Sequence, residues 1–90
     1  MSNQVIIKYC GSWGYSSKYN LVKEALEARY KDLQVIGQKI PGNTGSFEVI
    51  VIKNGNEREV HSKLKGECLV NQENLQKFLD KFGVIYSEMD

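Results

Sequence analysis

Cysteine and histidine are scarce in this chain: Cys10, Cys68 and the single His61 are all that ninety residues contain. Two cysteines so far apart exclude a disulfide-built scaffold. A four-ligand zinc site would need carboxylates, and none stands at a suitable spacing, so no metal and no bound cofactor is expected. Charge of one sign is missing as well. Twelve basic and eleven acidic side chains leave a formal charge of +1, too weak a field to draw nucleic acid or an anionic membrane. Long apolar runs are absent. Val5-Ile6-Ile7, with no basic segment before it and no cleavage-like site after it, is too short for a signal peptide and far too short to span a bilayer. A cytoplasmic protein is therefore expected. There is no repeat, no low-complexity segment, and no Lys-Ser/Thr after Gly11–Gly14 to make a phosphate loop.

What remains is ordinary globular composition, 41% hydrophobic and 26% charged, enough for one small domain over residues 1–90. Gln4 to Tyr9 is a β-branched, mostly apolar run that reads as a buried strand. Ser16 or Ser17 is placed to cap a helix from Lys18 to about Lys31, with Tyr19, Val22, Ala25, Leu26 and Tyr30 on one face. Leu33 to Lys39 reads as a second strand, ended by the loop Pro41–Gly45. In Ser46 to Lys53, Phe47, Val49 and Val51 face one way and Ile50 and Ile52 the other, which predicts a central strand with both faces apolar. Asn54-Gly55-Asn56 is a hairpin signal. Glu57 to Leu64 returns as a charged edge strand. Asn71 is the expected cap of a second helix carrying Leu75, Phe78, Leu79 and Phe82, with Gly83 its expected end. Val84 to Asp90 carries no signal.

The order β-α-β-β-β-α implies an α/β (α+β) sandwich: a four-stranded mixed sheet with two helices. A right-handed crossover makes the first two strands parallel, and the hairpin makes the last two antiparallel. With the third strand antiparallel beside the first, the loops of residues 10–16, 40–46 and 64–70 gather at one end of the sheet. Cys10 and Cys68 lie in two of them.

Cys10-Gly11-Ser12-Trp13 is the segment with chemical promise. A cysteine between a strand and a helix lies near unpaired N–H groups at the positive pole of the helix dipole, which favour thiolate over thiol. Gly11 and Ser12 let the chain turn without covering the sulfur. A second thiol or selenol three residues on would close an internal bridge, but Trp13 stands there, and an indole can only pack, stack or donate its N–H. A small buried residue at a strand end is the competing reading of Cys10. For Cys68 an inert buried thiol and a functional one stand level. His61 reads as a solvated or hydrogen-bonded strand histidine rather than a base. Tyr9, Tyr15, Tyr19 and Tyr30 read as packing, since no basic patch accompanies them.

Together these segments resemble the selenoprotein W family of small thioredoxin-like proteins. The resemblance is carried by Val5-Ile6-Ile7-Lys8-Tyr9-Cys10-Gly11, by Gly14-Tyr15 with Lys18-Tyr19, by Thr44-Gly45-Ser46-Phe47-Glu48-Val49, and by Val60-His61-Ser62-Lys63 before a glycine loop. It implies a thioredoxin-like fold, a Cys-x-x-Sec or Cys-x-x-Cys redox motif, a cytosolic antioxidant role linked to glutathione as reductant, and protein partners such as 14-3-3. By position, Cys10 matches the first, resolving residue of the motif and Trp13 the selenocysteine that attacks.

Selenocysteine is encoded by UGA, one base from the tryptophan codon UGG, so Trp13 is readable as a substitution or misreading at a selenocysteine position. The alternative is a paralogue that lost the redox pair and persists as a monomeric adaptor, with Trp13 as an apolar contact for a partner protein. Cys68 matches nothing in the family motif. Its candidacy as a resolving thiol for Cys10 comes from the convergence of the loops alone, and needs Cα atoms within about 7 Å.

Overall fold

The computed structural model describes residues 3–11, 14–42 and 44–89; Ser12 and Trp13 of the tetrapeptide lie outside the described residues. The elements run β1 (Asn3–Cys10), α1 (Tyr15–Arg29), β2 (Leu33–Ile40), β3 (Phe47–Lys53), β4 (Asn56–Ser62) and α2 (Leu75–Glu88). They form the anticipated four-stranded mixed sheet in the order β2-β1-β3-β4. β1 pairs parallel with β2 and antiparallel with β3, and β3 pairs antiparallel with β4. No described helix is long and apolar enough to cross a membrane.

Alternation along the strands sorts the core. Val5, Ile7, Val49 and Val51 point to one side and are fully buried. Both helices pack on that side. Tyr19 of α1 stacks on Tyr9 with ring centroids 4.8 Å apart, and Phe78 of α2 meets the edge of His61. Val22 and Leu26 are the fully buried residues of the α1 stripe, with Tyr19, Ala25 and Tyr30 packed partly against the core. Tyr30, Phe82 and Tyr86 join the two helices ring to ring.

β3 is central and apolar on both faces, as expected. On the side away from the helices no described helix covers Ile50 and Ile52, which remain half-buried together with Ile6 and Ile36. Ile36, Ile6 and Ile50 are register neighbours and form an apolar row across three strands. Sequence pattern reports that a face is apolar, not that a layer exists to cover it.

Helix boundaries also differ. α1 begins at Tyr15 with Gly14 as its cap, in the left-handed region at φ 71°, and Ser17 donates its hydroxyl back to the Gly14 carbonyl instead of capping the helix from its own position. α2 begins after Asn74; Asn71 instead accepts from the N–H groups of Glu73 and Asn74 in the preceding turn. Gly83 does not end α2, which continues to Glu88. The continuation places Tyr86 on Asn3 and Lys53, and contacts of that kind outweigh the roughly 1 kcal/mol helix penalty of a glycine.

β4 stops at Ser62, short of Leu64. A register shift opposite Val49 and Ile50 leaves Val60 as an extra residue, a bulge. It sends both Val60 and His61 into the core, where they are 2% and 8% exposed.

Candidate functional site

The end of β1 and the loops beside it are tied by backbone. Cys10 N–H donates to the Ser46 carbonyl and Gly11 N–H to the Ile40 carbonyl, both at 2.8 Å. Lys63 N–H reaches the Phe47 carbonyl, and its ammonium stands 5.9 Å from the centre of the Tyr15 ring. The loops of residues 10–16, 40–46 and 64–70 therefore do converge through their neighbours at one end of the sheet.

Cys10 is fully buried, and its thiol donates to the Gly42 carbonyl at 3.2 Å. Gly42 takes φ 88° to form that turn, a conformation that glycine adopts without penalty. Gly11 has no such φ; what demands glycine there is space. A Cβ would stand 3.1 Å from the Lys39 Cε and 3.2 Å from the Ile40 carbonyl oxygen. Lys39 thus lies across the first residue after the cysteine.

Cys10 and Cys68 form no disulfide, and Cys68 is exposed, not buried. Its carbonyl accepts from His61 Nε2 at 2.6 Å, which fixes that nitrogen as protonated, since a carbonyl only accepts. Cys68 rims a cavity of about 410 Å³ floored by His61, Val70 and Phe78, with Lys77 and Lys81 at its edge. Cys10 bonds Gly42 and Ser46 and is the register partner of Ile40 on β2. Glu67, beside Cys68, is held below the usual carboxylate range by its hydrogen bond from Lys81. Burial opposes this, while the Ser62 N–H and the His61 charge assist. His61 is thus a hydrogen-bonded core histidine that ties this loop to the sheet. Among the described residues no group of three or more His, Cys, Asp or Glu side chains could hold a metal.

One part of this region was not anticipated from the sequence. The carboxylate of Glu48, half-buried on β3, accepts from the Ser62 hydroxyl and from the N–H groups of Lys63 and Leu64. The Ser62 hydroxyl oxygen in turn accepts from Lys65 N–H. An acid near the start of an apolar strand was the available signal. Its use as a cap for a turn fourteen residues later was not.

Comparison with known proteins agrees with this architecture. The Rdx family model matches residues 4–81. Selenoprotein W of Macaca mulatta is 40% identical over 86 residues, spanning 94% of this chain and 92% of that protein. Among solved structures, a selenoprotein W-related protein from Vibrio cholerae superimposes with a TM-score of 0.63 at 14% identity, covering 91% of this chain and 98% of that one. A thioredoxin-like protein from Bacillus cereus ATCC 10987 gives a TM-score of 0.60 at 15% identity, over 90% and 88% of the two chains. Those identities speak for the thioredoxin-like fold, and the sequence match for more: the chain belongs to the Rdx family, with the selenoprotein W proteins.

Proposed function

We propose that this fold performs thiol or selenol exchange at the loop of residues 10–13, in the form that carries selenocysteine or cysteine at position 13. The observation that supports it is the full burial of Cys10 with its thiol on the Gly42 carbonyl. A buried thiol is shielded from external disulfides and suits a resolving role, in which only a neighbour within the same loop reaches it. The residue-13 chalcogenolate attacks a substrate disulfide, forms a mixed bridge and expels one substrate thiolate. Cys10 then attacks that bridge at residue 13, the second substrate thiol leaves with the Cys10 proton, and an external thiol later restores the pair by the same exchange. Glutathione as that donor, a cytoplasmic location and a 14-3-3 partner extend the proposal by family resemblance.

With Trp13 the internal bridge cannot form, because indole has no chalcogen. That residue favours the second reading, a redox-inactive adaptor. The codon at position 13 of the native transcript separates the two: UGA followed by a selenocysteine-insertion element supports exchange, and UGG without one supports the adaptor. In a glutathione-coupled peroxide assay on protein with Sec or Cys at 13, Cys10→Ser is expected to abolish turnover; unchanged activity would sink the role of Cys10. Oxidation followed by peptide mapping tests Cys68 as an alternative resolving thiol, for which a Cys10–Cys68 bridge is required.

A further inference from the structure

The sheet ends in two edges, β2 and β4, and they are built differently. β4 carries the exposed charges of Glu57, Arg58 and Glu59 and the bulge at Val60, two devices that keep a further strand from pairing with an edge. β2 has neither. Its eight residues keep an unbroken register with β1, and Lys39 is the only charged residue among them. No described strand pairs with its outer side. A long, regular and mostly uncharged edge is a template for another strand.

The backbone shows which groups this edge presents. The Ile40 carbonyl accepts from Gly11 N–H, so Ile40 turns its peptide groups toward β1. Alternation along the strand turns those of Gln34, Ile36 and Gln38 the same way, and those of Leu33, Val35, Gly37 and Lys39 outward. Leu33 N–H is taken by the Tyr30 carbonyl. The N–H groups of Val35, Gly37 and Lys39 have no partner among the described residues.

A second copy fits this edge about a two-fold axis perpendicular to the sheet, which keeps the helices of both copies on one side. That symmetry opposes only residues of the same face. With Ile36 on the axis, Ile36 meets Ile36, Gln34 meets Gln38, Val35 meets Gly37 and Leu33 meets Lys39. The N–H groups of Val35, Gly37 and Lys39 then reach the carbonyls of Gly37, Val35 and Leu33 in the other copy. The apolar row of Ile50, Ile6 and Ile36 continues unbroken into the same row of the second copy. Neighbouring registers are worse: Gly37 on the axis sets Ile36 against Gln38, and Val35 on the axis sets Lys39 against Lys31. Tyr19 stacks on Tyr9 of β1 and covers Gly37 of β2, so α1 lies over this pair of strands. With strands about 4.8 Å apart, the two α1 helices stand on the order of 10 Å from each other, an ordinary packing distance.

We propose that this chain forms a two-fold dimer by antiparallel pairing of β2 with β2 of a second copy, centred on Ile36, which joins the two sheets into one. The dimer goes beyond the exchange reaction proposed above and does not depend on it. Its joint is a strand edge rather than a broad face, so the dimer dissociates on dilution.

Sedimentation equilibrium of the Trp13 chain tests this. From about 10 µM to about 1 mM, the mass should rise from one chain toward two. Gln34 and Gln38 are both exposed, and Gln34→Lys with Gln38→Lys sets like charges against each other across the joint. That variant should dimerise about tenfold more weakly, while Gln34→Glu with Gln38→Lys sets opposite charges there and should restore or tighten the dimer. In a Cys68→Ser background, Ile36→Cys should cross-link in air, since opposed residues of a non-hydrogen-bonded pair have Cα atoms about 4.5 Å apart. Gln34→Cys should not, because Gln34 faces Gln38. The proposal is overturned if the mass of one chain persists at about 1 mM, if the two charge variants dimerise alike, or if Gln34→Cys cross-links as readily as Ile36→Cys. Circular dichroism of each variant separates loss of pairing from loss of fold.

Discussion

Two thiols of opposite accessibility set the residue-scale chemistry. Cys10 is fully buried and bonded to Gly42, while Cys68 is exposed at the rim of a cavity. A disulfide reagent added to the native protein should therefore titrate one thiol rapidly, lost in Cys68→Ser, and reach the second only in denaturant. Rapid reaction of both would contradict the burial of Cys10. The position of Cys10 was legible because an apolar run ended there and a glycine followed. Gly37 was not legible as a constrained position. It lies under the ring of Tyr19, and a Cβ there would stand 2.5 Å from the Tyr19 Cζ, a contact made by residues distant in the chain. Gly37→Ala is expected to cost about 1–2 kcal/mol by overpacking, measured by urea denaturation, and to disturb the Tyr9–Tyr19 stack in near-ultraviolet circular dichroism.

At the scale of elements, α2 was read too short because Gly83 has the composition of a helix end. Tertiary contacts of Tyr86 and the burial of Met89 carry the helix past it. A Cβ on Gly83 would meet only the Tyr30 hydroxyl at 3.5 Å, an ordinary contact. Gly83→Ala should accordingly stabilise the protein by about 0.5–1 kcal/mol, seen as a raised urea midpoint with unchanged slope. The tie between α2 and the Cys68 loop is electrostatic. Glu67 is held below its ordinary value of 4.5, first by Lys81, so its contribution is fully present above that value and fades as pH falls through the lowered one. Lys81→Met should therefore be less stable than the parent at pH 7, and the difference should shrink as denaturation is repeated at progressively more acidic pH, below 4.5. A difference that persists undiminished in acid would assign the effect to packing of the lysine stem instead.

For the whole molecule, the parallel β1–β2 and antiparallel β3–β4 pairings followed from handedness and the hairpin, and the clustering of loops followed once β3 was placed beside β1. The uncovered face did not, because apolar alternation is silent about what lies opposite. Ile6 and Ile7 compare the two faces within one strand. Ile7 is fully buried beneath the helices and Ile6 half-buried on the open side. Ile7→Ala should cost about 3–4 kcal/mol and Ile6→Ala about half of that or less, both by equilibrium unfolding; equal costs would mean that the open face is covered in solution.

The bulge at Val60 bears on how this architecture tolerates change in length. Between the exposed half of β4, Glu57 to Glu59, and the half that anchors the loops, His61 and Ser62, the strand holds one residue more than its partner requires. That residue is slack in the ladder. Loss of one position from the hairpin half lets the strand straighten with His61 still opposite Val49 and Ser62 opposite Glu48, at the cost of turning Val60 out of the core to face the open side opposite Ile50. A gain of one position finds no such reserve, and must either enlarge the bulge or turn the anchoring side chains to the wrong faces. Contraction of the hairpin therefore costs the burial of Val60 but leaves the end of the sheet that carries Cys10 in phase, whereas expansion disturbs that end itself.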